Sequence, residues 1–140
     1  GMKTQIIGEE GADSPKTLEI AGESAEGFVI VTNLNRDDKR PFVQEFLKEY
    51  ETRFKIQPDM VGASAYDAFM ILCDGIQRAK STGGKAVRDA IAATKDYDGL
   101  TGVIRGFNKG EVVKEVQVQQ VKGGRFRYLG VITDPALITP

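Results

Sequence analysis

The chain of 140 residues contains no histidine, no tryptophan and a single cysteine, Cys73. The absence of histidine excludes Ser-His-Asp and Cys-His catalysis and removes a common ligand of zinc. One cysteine excludes a disulfide within the chain. Basic and acidic side chains number 19 and 20, so the net charge of −1 lacks the basic excess that nucleic-acid binding requires. No apolar run reaches the roughly 18 residues of a membrane-spanning helix.

The residues that are present form the ordinary mixture of a globular protein. Hydrophobic residues make up 41% of the chain and charged residues 28%. The length fits one domain with a real core. Gly1 is interpreted as an expression remnant ahead of the start methionine Met2, and no signal-peptide pattern follows it. The sequence therefore leaves open a cytosolic protein or one whose signal has been removed.

The first part of the chain shows the pattern of an α/β fold. Residues Thr4 to Gly8 form a short apolar segment typical of a strand, and residues 28–31 (Phe-Val-Ile-Val) form a continuous apolar run. A run without alternation favours a strand that is buried on both faces, as in a parallel sheet. Between these strands, Ser14 and Pro15 predict the start of a helix that Gly27 would end.

Three consecutive helices are predicted after these strands. The first begins at Pro41 and reaches Phe54, with apolar side chains at helical spacing. The second runs from Ser64 to about Ala79 and is apolar around most of its circumference, so most of it should be buried. The third covers Lys85 to Thr94 and presents a shorter apolar face.

The C-terminal part of the chain changes to a period of two, which is typical of β-strands. Val116 and Val118 alternate with polar residues, and Gly123-Gly124 offers the positive φ angles of a tight hairpin turn. Residues 108–110 (Asn-Lys-Gly) predict an earlier turn of the same kind. The predicted fold class is therefore a layered α/β arrangement with a β-rich C-terminal tail.

The predicted strands are too few for the predicted helices. Two early strands give three helices too little apolar sheet on which to pack, and the edges of those strands would be unpaired. We therefore expect either further chain or a second subunit to complete the sheet.

The acidic loop of residues 9–13 (Glu-Glu-Gly-Ala-Asp) is the first candidate for a ligand site. It lies between a strand and a helix start, and open α/β sheets bind ligands at the carboxyl ends of their strands. A carboxylate there could neutralise an ammonium group, and Gly11 would allow close approach of a ligand. The spacing alone favours the simpler alternative, a solvated loop with Glu9 and Glu10 free in water.

Other candidates have simpler structural explanations. Cys73 lies within the apolar part of its helix and is predicted to be a buried core thiol. Asp67 and Asp74 share a helix face without a phosphate loop or metal ligands near them in sequence, so they are predicted to form the solvated side of that helix. Arg125 and Arg127 are predicted to point outward from an edge strand. No catalytic residue, metal site or cofactor is therefore predicted.

Several stretches of the chain share their order and spacing with a known family. They are residues 3–11 (Lys-Thr-Gln-Ile-Ile-Gly-Glu-Glu-Gly), 21–28 (Ala-Gly-Glu-Ser-Ala-Glu-Gly-Phe), Phe46-Leu47 and Tyr50 ahead of Phe54, 65–68 (Ala-Tyr-Asp-Ala), 87–91 (Val-Arg-Asp-Ala-Ile), 98–102 (Asp-Gly-Leu-Thr-Gly) and 107–110 (Phe-Asn-Lys-Gly). Each is weak alone, but together they extend over nearly the whole chain. In this combination the chain resembles the C-terminal portion of the type I periplasmic binding proteins of the branched-chain amino-acid ABC transporter class.

The resemblance implies Rossmann-like pieces of a two-lobed clamp that closes on a small solute and delivers it to an ABC permease. It places residues 2–33 and 105–140 in the second lobe and residues 34–104 in the first. The crossings between lobes fall around residues 33–38 and 101–108. The resemblance also implies a periplasmic or extracellular location, with or without a lipoprotein anchor, and no enzymatic activity.

Glu10 gains a specific role from the same resemblance. Family members that bind α-amino acids use a carboxylate in the loop matching Glu10 to pair with the ligand ammonium group, and the neighbouring Gly11 belongs to the same pocket. Glu10 and Gly11 are therefore expected to be ligand-binding residues, whereas Glu9 is expected to stay solvated. The family's groups that hold the ligand carboxylate come from the N-terminal part of the first lobe, which has no counterpart in this chain.

The resemblance covers well under half of a full family member. A clamp needs groups from both sides of its cleft, so we expect the 140-residue chain on its own to bind no amino acid with useful affinity. The alternative function is a stand-alone truncated module that oligomerises through its unpaired sheet edges and has no ligand-binding role. This chain is therefore expected to form a homo-oligomer.

Overall fold

The computed structural model describes residues 3–140, so the interpretation of Gly1 as a remnant lies outside the described residues. The chain forms seven strands and five α-helices in that range, together with 3₁₀ turns at Glu10–Ala12 and Gly22–Ala25. In chain order the elements are β1 (Ile7–Gly8), α1 (Pro15–Ala21), β2 (Val29–Thr32), α2 (Pro41–Phe54), α3 (Met60–Ala79), α4 (Gly84–Ala92), β3 (Tyr97–Gly99), β4 (Gly102–Asn108), β5 (Glu111–Lys114), β6 (Val116–Lys122), β7 (Arg125–Ile132) and α5 (Pro135–Ile138).

A four-stranded sheet with the order β1-β2-β6-β7 joins the two ends of the chain. The predicted buried strand is confirmed as β2, in which Val29, Ile30 and Thr32 are buried. The sheet around β2 is mixed rather than purely parallel, because β2 is parallel to β1 but antiparallel to β6. The short β1 cannot cover β2 alone, and the returning tail supplies the second neighbour. Val121 and Phe126 of the tail complete the core beneath this sheet.

A separate three-stranded sheet has the order β3-β4-β5. Both predicted hairpin turns are confirmed, at Lys109-Gly110 and at Gly123-Gly124, because all four residues have positive φ angles between 51° and 92°. The predicted return between lobes near residues 101–108 falls within β4, which pairs with β3 and β5.

The predicted helices are confirmed, with changes at their ends. Ser14 caps α1 by accepting a hydrogen bond from the amide of Lys16 at 3.1 Å. Helix α3 begins at Met60, before the predicted start at Ser64, because the Asp59 carboxylate caps it by accepting from the amide of Gly62 at 2.8 Å. Asp59, which the sequence predicts to lie in a loop, therefore caps the longest of the described helices.

The expectation that α3 is buried around most of its circumference is wrong. Its buried residues lie on one face, and Val61, Phe69 and Leu72 on other faces are 65%, 63% and 41% exposed. The side chain of Cys73 is only partly buried, so it is not the core thiol that was expected. The reason is that the described strands and helices pack against a single face of α3. No helix within residues 3–140 combines the length and the apolar character needed to cross a membrane.

Candidate functional site

The acidic loop lies at the carboxyl end of β1, where the sequence predicts it. Glu10 begins the 3₁₀ turn that follows β1, and Glu9, Glu10 and Gly11 are all exposed. No atom lies within 4 Å of the position that a Cβ would take on Gly11, so the backbone there is open to a ligand. Because β1 and β2 are parallel, the residues that follow Thr32 lie at the same edge of the sheet.

The last residue of this loop, Asp13, is buried rather than solvated. Its side chain has no exposed surface, and its two carboxylate oxygens accept hydrogen bonds from the hydroxyl of Thr32 and from the guanidinium of Arg36. Burial of a carboxylate is costly unless it is paired and hydrogen-bonded, and both conditions are met here. Asp13 therefore fixes the end of the loop that carries Glu10.

Arg36 extends this ion pair into a network that crosses the molecule. Its guanidinium donates to the carbonyl of Pro58 at 3.0 Å and to Oε1 of Gln119 at 3.3 Å, and it lies 5.2 Å from the ring centroid of Phe126. Gln119 in turn donates from Nε2 to the carbonyl of Leu34 at 2.7 Å. One side chain thus connects the acidic loop, the segment that precedes α3 and both strands of the C-terminal hairpin.

A second arginine joins the segment that follows β2 to strand β3. Arg40 binds the carboxylate of Asp38 at 2.7 Å, pairs with Asp98 and donates to the carbonyl of Gly99 at 3.0 Å. Burial alone would raise the pKa of Asp38, but the hydrogen bonds and charge of Arg40 outweigh it and hold that pKa below its ordinary value. Asp38, Arg40 and Asp98 line an open cleft of about 780 Å³ together with Glu115 and Arg127.

Asp67 does not lie on the solvated side of α3, so that prediction is wrong. It is buried, and its carboxylate accepts from the amides of Leu100 and Thr101 at 2.6 and 2.8 Å and from the hydroxyl of Thr101 at 2.6 Å. Asp74 matches the prediction more closely, since it is partly exposed and pairs with Arg78 at 2.7 Å. The helical spacing contained the signal, because Asp67 is four residues from both Ala63 and Ile71, which are buried.

The structure brings together residues that sequence reasoning did not select. Thr32 and Arg36 donate to Asp13, and Gln119 accepts from Arg36. Only Thr32, at the end of a buried strand, had a position that could have suggested a role. Arg127 does point outward from the edge strand β7, as predicted, and pairs with Asp37 at 3.1 Å. Within residues 3–140, no group of three or more acidic or cysteine side chains is arranged to hold a metal ion.

Comparison with known proteins places this geometry in a family. The sequence profile of the family described as "Periplasmic binding protein" matches residues 1–125. The leucine binding protein LivK from Thermotoga maritima is 31% identical, with a TM-score of 0.84 over 98% of this chain and 39% of that protein. A putative branched-chain amino acid ABC transporter protein from Rhodospirillum rubrum is also 31% identical, with a TM-score of 0.74 over 92% of this chain and 38% of that one.

A third structure shares the fold at lower identity. The branched-chain amino acid transporter substrate binding protein LivJ from Streptococcus pneumoniae is 22% identical, with a TM-score of 0.79 over 94% of this chain and 38% of that protein. The chain thus spans about two fifths of the length of these three relatives, two of which are described as binding proteins. The profile match and the two relatives at 31% identity show that the chain belongs to the periplasmic binding protein family.

Proposed function

We propose that this chain is a segment of the solute-binding component of an ABC transporter for branched-chain or other amino acids. In the full-length protein the ligand binds non-covalently in the cleft between two lobes and passes to an ABC permease. The names of two relatives support this ligand class, since one is a leucine binding protein and another is in complex with isoleucine.

The exposed carboxylate of Glu10 is the observation that carries the proposal. It stands on a loop whose far end is fixed by the buried pair of Asp13 and Arg36, so the backbone that carries Glu10 is positioned before a ligand arrives. A ligand ammonium group enclosed by a second lobe would gain a charge-assisted hydrogen bond from this carboxylate. Gly11 beside it leaves the backbone free to contact the ligand.

The ligand class depends on Glu10 because the fold itself accommodates other ligands. A solute binding protein from Rhodopseudomonas palustris is in complex with benzoate, which has no amino group. That protein is 24% identical, with a TM-score of 0.70 over 81% of this chain and 32% of its own. A carboxylate at the Glu10 position favours an amine-bearing ligand over an anion such as benzoate.

The proposed lobes follow the two sheets. Residues 2–33 belong to the second lobe with the C-terminal tail, and the residues from 34 onwards to the first. The resemblance alone places the start of the return at residue 105, but β4 pairs with both β3 and β5, so we place the return crossing between β5 and β6. Arg36 lies on the first crossing and contacts Asp13 on one side of it and Pro58 on the other, whereas Arg40 contacts Gly99 of the first lobe.

The family is extracytoplasmic, and we place this chain in the periplasm or at the cell exterior as part of the same proposal. A lipoprotein anchor would keep it near the permease. In this proposal the full-length protein binds and releases its solute unchanged, without enzymatic turnover or a cofactor.

A chimera tests the role of Glu10. Residues 3–140 replace the matching part of the Thermotoga leucine binding protein, so that the relative supplies the remainder of the clamp. Isothermal titration then measures the binding of leucine, isoleucine, valine and alanine. We expect Glu10→Gln to weaken binding by roughly tenfold to a hundredfold, because the ligand ammonium group loses its charged partner in the closed cleft.

Glu9→Gln is the matched control, since Glu9 is also exposed in the same loop. Glu9→Gln should change the dissociation constant less than about twofold, because solvent and salt screen the charge of Glu9 from the ligand. Equal affinity of the Glu10→Gln chimera and its parent would overturn the assignment of Glu10. The 140-residue chain alone should give no one-site heat with any of the four amino acids.

A second property follows from the apolar residues on the surface. We infer that two copies of this chain associate through the exposed face of α3, which presents Val61, Phe69 and Leu72. Sheet edges at β7 and β5 offer additional pairing sites. Under two-fold symmetry the apolar face of α3 would bury itself against the same face of a second copy.

A further inference from the structure

A cavity between α3, α4, β4 and β5 contains one lysine among mainly apolar side chains. It measures about 380 Å³, which is room for a small organic molecule. Ile71, Ile91, Ile104 and Phe107 form much of its wall. None of residues 9–13 lines it, so this cavity is separate from the loop that carries Glu10.

Lys114, at the end of β5, is held in this cavity by Thr101. Its Nζ donates to the carbonyl oxygen of Thr101 at 2.9 Å and also to the Thr101 hydroxyl. That hydroxyl donates to the buried carboxylate of Asp67 at 2.6 Å. Two of the three Nζ positions of Lys114 are thereby directed at Thr101. The third bears a proton in the ammonium form and the lone pair in the amine form.

The surroundings of Lys114 raise the share of its neutral amine, although the ammonium form remains the larger share at pH 7. Burial lowers the pKa of this group to about 8. The charges of Asp67 and Glu115 act in the opposite direction, and that of Arg40 acts with burial. At pH 7 the neutral fraction is therefore on the order of 100-fold larger than for an ordinary lysine with a pKa near 10.4.

We propose that Lys114 captures small apolar aldehydes in this cavity by forming an imine on its Nζ. The lone pair attacks the carbonyl carbon, so a C–N bond forms. The carbonyl oxygen then leaves as water with the two protons of the amine, and no atom is oxidised or reduced. In its protonated form the imine keeps one N–H for Thr101, and Asp67 lies close enough to offset its charge. Desolvated lysines in apolar pockets are nucleophilic because burial increases the share of the neutral amine.

An aldehyde with an apolar chain is favoured by the shape of the site. Burial of a branched hydrocarbon against the isoleucine and phenylalanine walls is favourable, whereas the carboxylate of Asp67 repels an anion. The proposed ligand class is therefore a neutral aliphatic aldehyde rather than a keto acid or an aldehyde that carries a carboxylate.

The test treats the 140-residue protein at pH 7 with 3-methylbutanal and sodium cyanoborohydride, which delivers hydride to the imine carbon and fixes it as a secondary amine. Digestion after glutamate and mass spectrometry then give the rate of labelling at each lysine. We expect Lys114 to react about tenfold faster than Lys109, which is exposed at the tip of the β4–β5 hairpin. The Lys114 rate should rise with pH to a midpoint near 8.

Three controls keep the outcome specific. Lys114→Arg should abolish the fast reaction, and Lys109→Arg should leave it unchanged. Ala68→Leu narrows the cavity from an exposed helix position, so it should slow labelling of Lys114 severalfold without unfolding the protein. Glyoxylate in place of 3-methylbutanal should remove the preference for Lys114.

Labelling of Lys114 at the same rate as Lys109 would overturn the proposal. So would a fast reaction that glyoxylate shares or that Ala68→Leu leaves unaltered, since either result would show that the cavity does not select the aldehyde. Circular dichroism and a cooperative thermal transition for each variant establish that a slow rate is not caused by unfolding.

Discussion

At the scale of single residues, two buried carboxylates hold distant segments together. Asp13 accepts hydrogen bonds from Thr32 and Arg36, and Asp67 accepts three from Leu100 and Thr101. In both cases the partners are far away in sequence, so neither carboxylate can be distinguished from a surface charge by composition. Buried charges with complete sets of donors stabilise one arrangement of the chain because a rearranged state would leave them unpaired.

Removal of Arg36 should destabilise the protein strongly. Arg36→Met leaves the carboxylate of Asp13 buried without its charged partner, and we expect a loss of about 3 kcal/mol in the free energy of unfolding. Urea denaturation followed by circular dichroism measures this loss.

Arg127→Met is the control, since the pair of Arg127 with Asp37 is about half exposed on the arginine side. It should cost less than about 1 kcal/mol. Equal losses for the two variants would mean that the Asp13 pair contributes no more than a surface ion pair.

Lys114 should make stability rise with pH. Its pKa falls to about 8 in the folded protein, below the value of about 10.4 in an unfolded chain. Between these values the unfolded state binds more protons, so the free energy of unfolding increases as pH rises. Below pH 8 the folded state bears the full cost of holding the charged form.

The pH effect is isolated by comparison with Lys114→Met. The difference in unfolding free energy between the parent and this variant should shift in favour of the parent by up to about 3 kcal/mol between pH 8 and 10.5. Other titrating groups cancel in that difference. A pH-independent difference would contradict a lowered pKa for Lys114.

At the scale of elements, helices α3 and α4 pack closely through a glycine. A Cβ on Gly75 would lie 2.7 Å from Cγ1 of Ile91, closer than real side-chain contacts. Glycine in a helix interior normally costs about 1 kcal/mol relative to alanine. Here the close approach of the two helices requires it.

Gly75→Ala should therefore destabilise the protein by about 1–2 kcal/mol, because overpacking exceeds the gain in helix propensity. Gly84→Ala in the first turn of α4 provides the control, since no atom lies within 4 Å of its Cβ position. That change should be neutral or stabilise by up to about 1 kcal/mol. Thermal unfolding of the two variants measures both effects, and a stabilised Gly75→Ala would show that Ile91 moves aside freely.

The strand β6 shows how an element can follow its predicted period and still bury unexpected residues. Gln117, Gln119 and Val121 share the buried face of this strand, and Gln119 has no exposed surface. Alternation alone would have directed the glutamines to solvent. Gln119 is accommodated because its amide donates to the carbonyl of Leu34 and accepts from Arg36.

At the scale of the whole molecule, two small cores lie on either side of the connecting segments. One lies beneath the four-stranded sheet and the other beside α2 and α3, with Ile30 and Val43 as fully buried members. Neither core covers the apolar stripe of α3 that includes Phe69. The shortage of sheet expected from the element order is therefore visible as exposed apolar surface.

Phe69→Lys should weaken self-association of the chain. The side chain is 63% exposed at the centre of the α3 stripe, so a charge there opposes dimerisation without disturbing the core. We expect the dissociation constant from sedimentation equilibrium to increase by roughly tenfold, which corresponds to about 1.4 kcal/mol.

Ile20→Lys on α1 is the control for Phe69→Lys, since Ile20 is 77% exposed and lies away from α3 in the chain. It should leave the dissociation constant unchanged. A parent chain that stays monomeric at all concentrations, or one that dimerises equally after Phe69→Lys, would exclude the α3 face as the interface.

The sequence by itself determined the α/β class, the order of the first two strands and first four helices, both hairpin turns and the position of the acidic loop, because these depend on local periodicity, capping and positive φ angles. Only the tertiary structure decided which polar side chains are buried. Asp13 pairs with Arg36, Asp67 reaches the amides that precede β4, and Gln119 reaches Leu34. Local pattern cannot reveal these partners, since each hydrogen bond joins segments that approach one another only when the chain has folded.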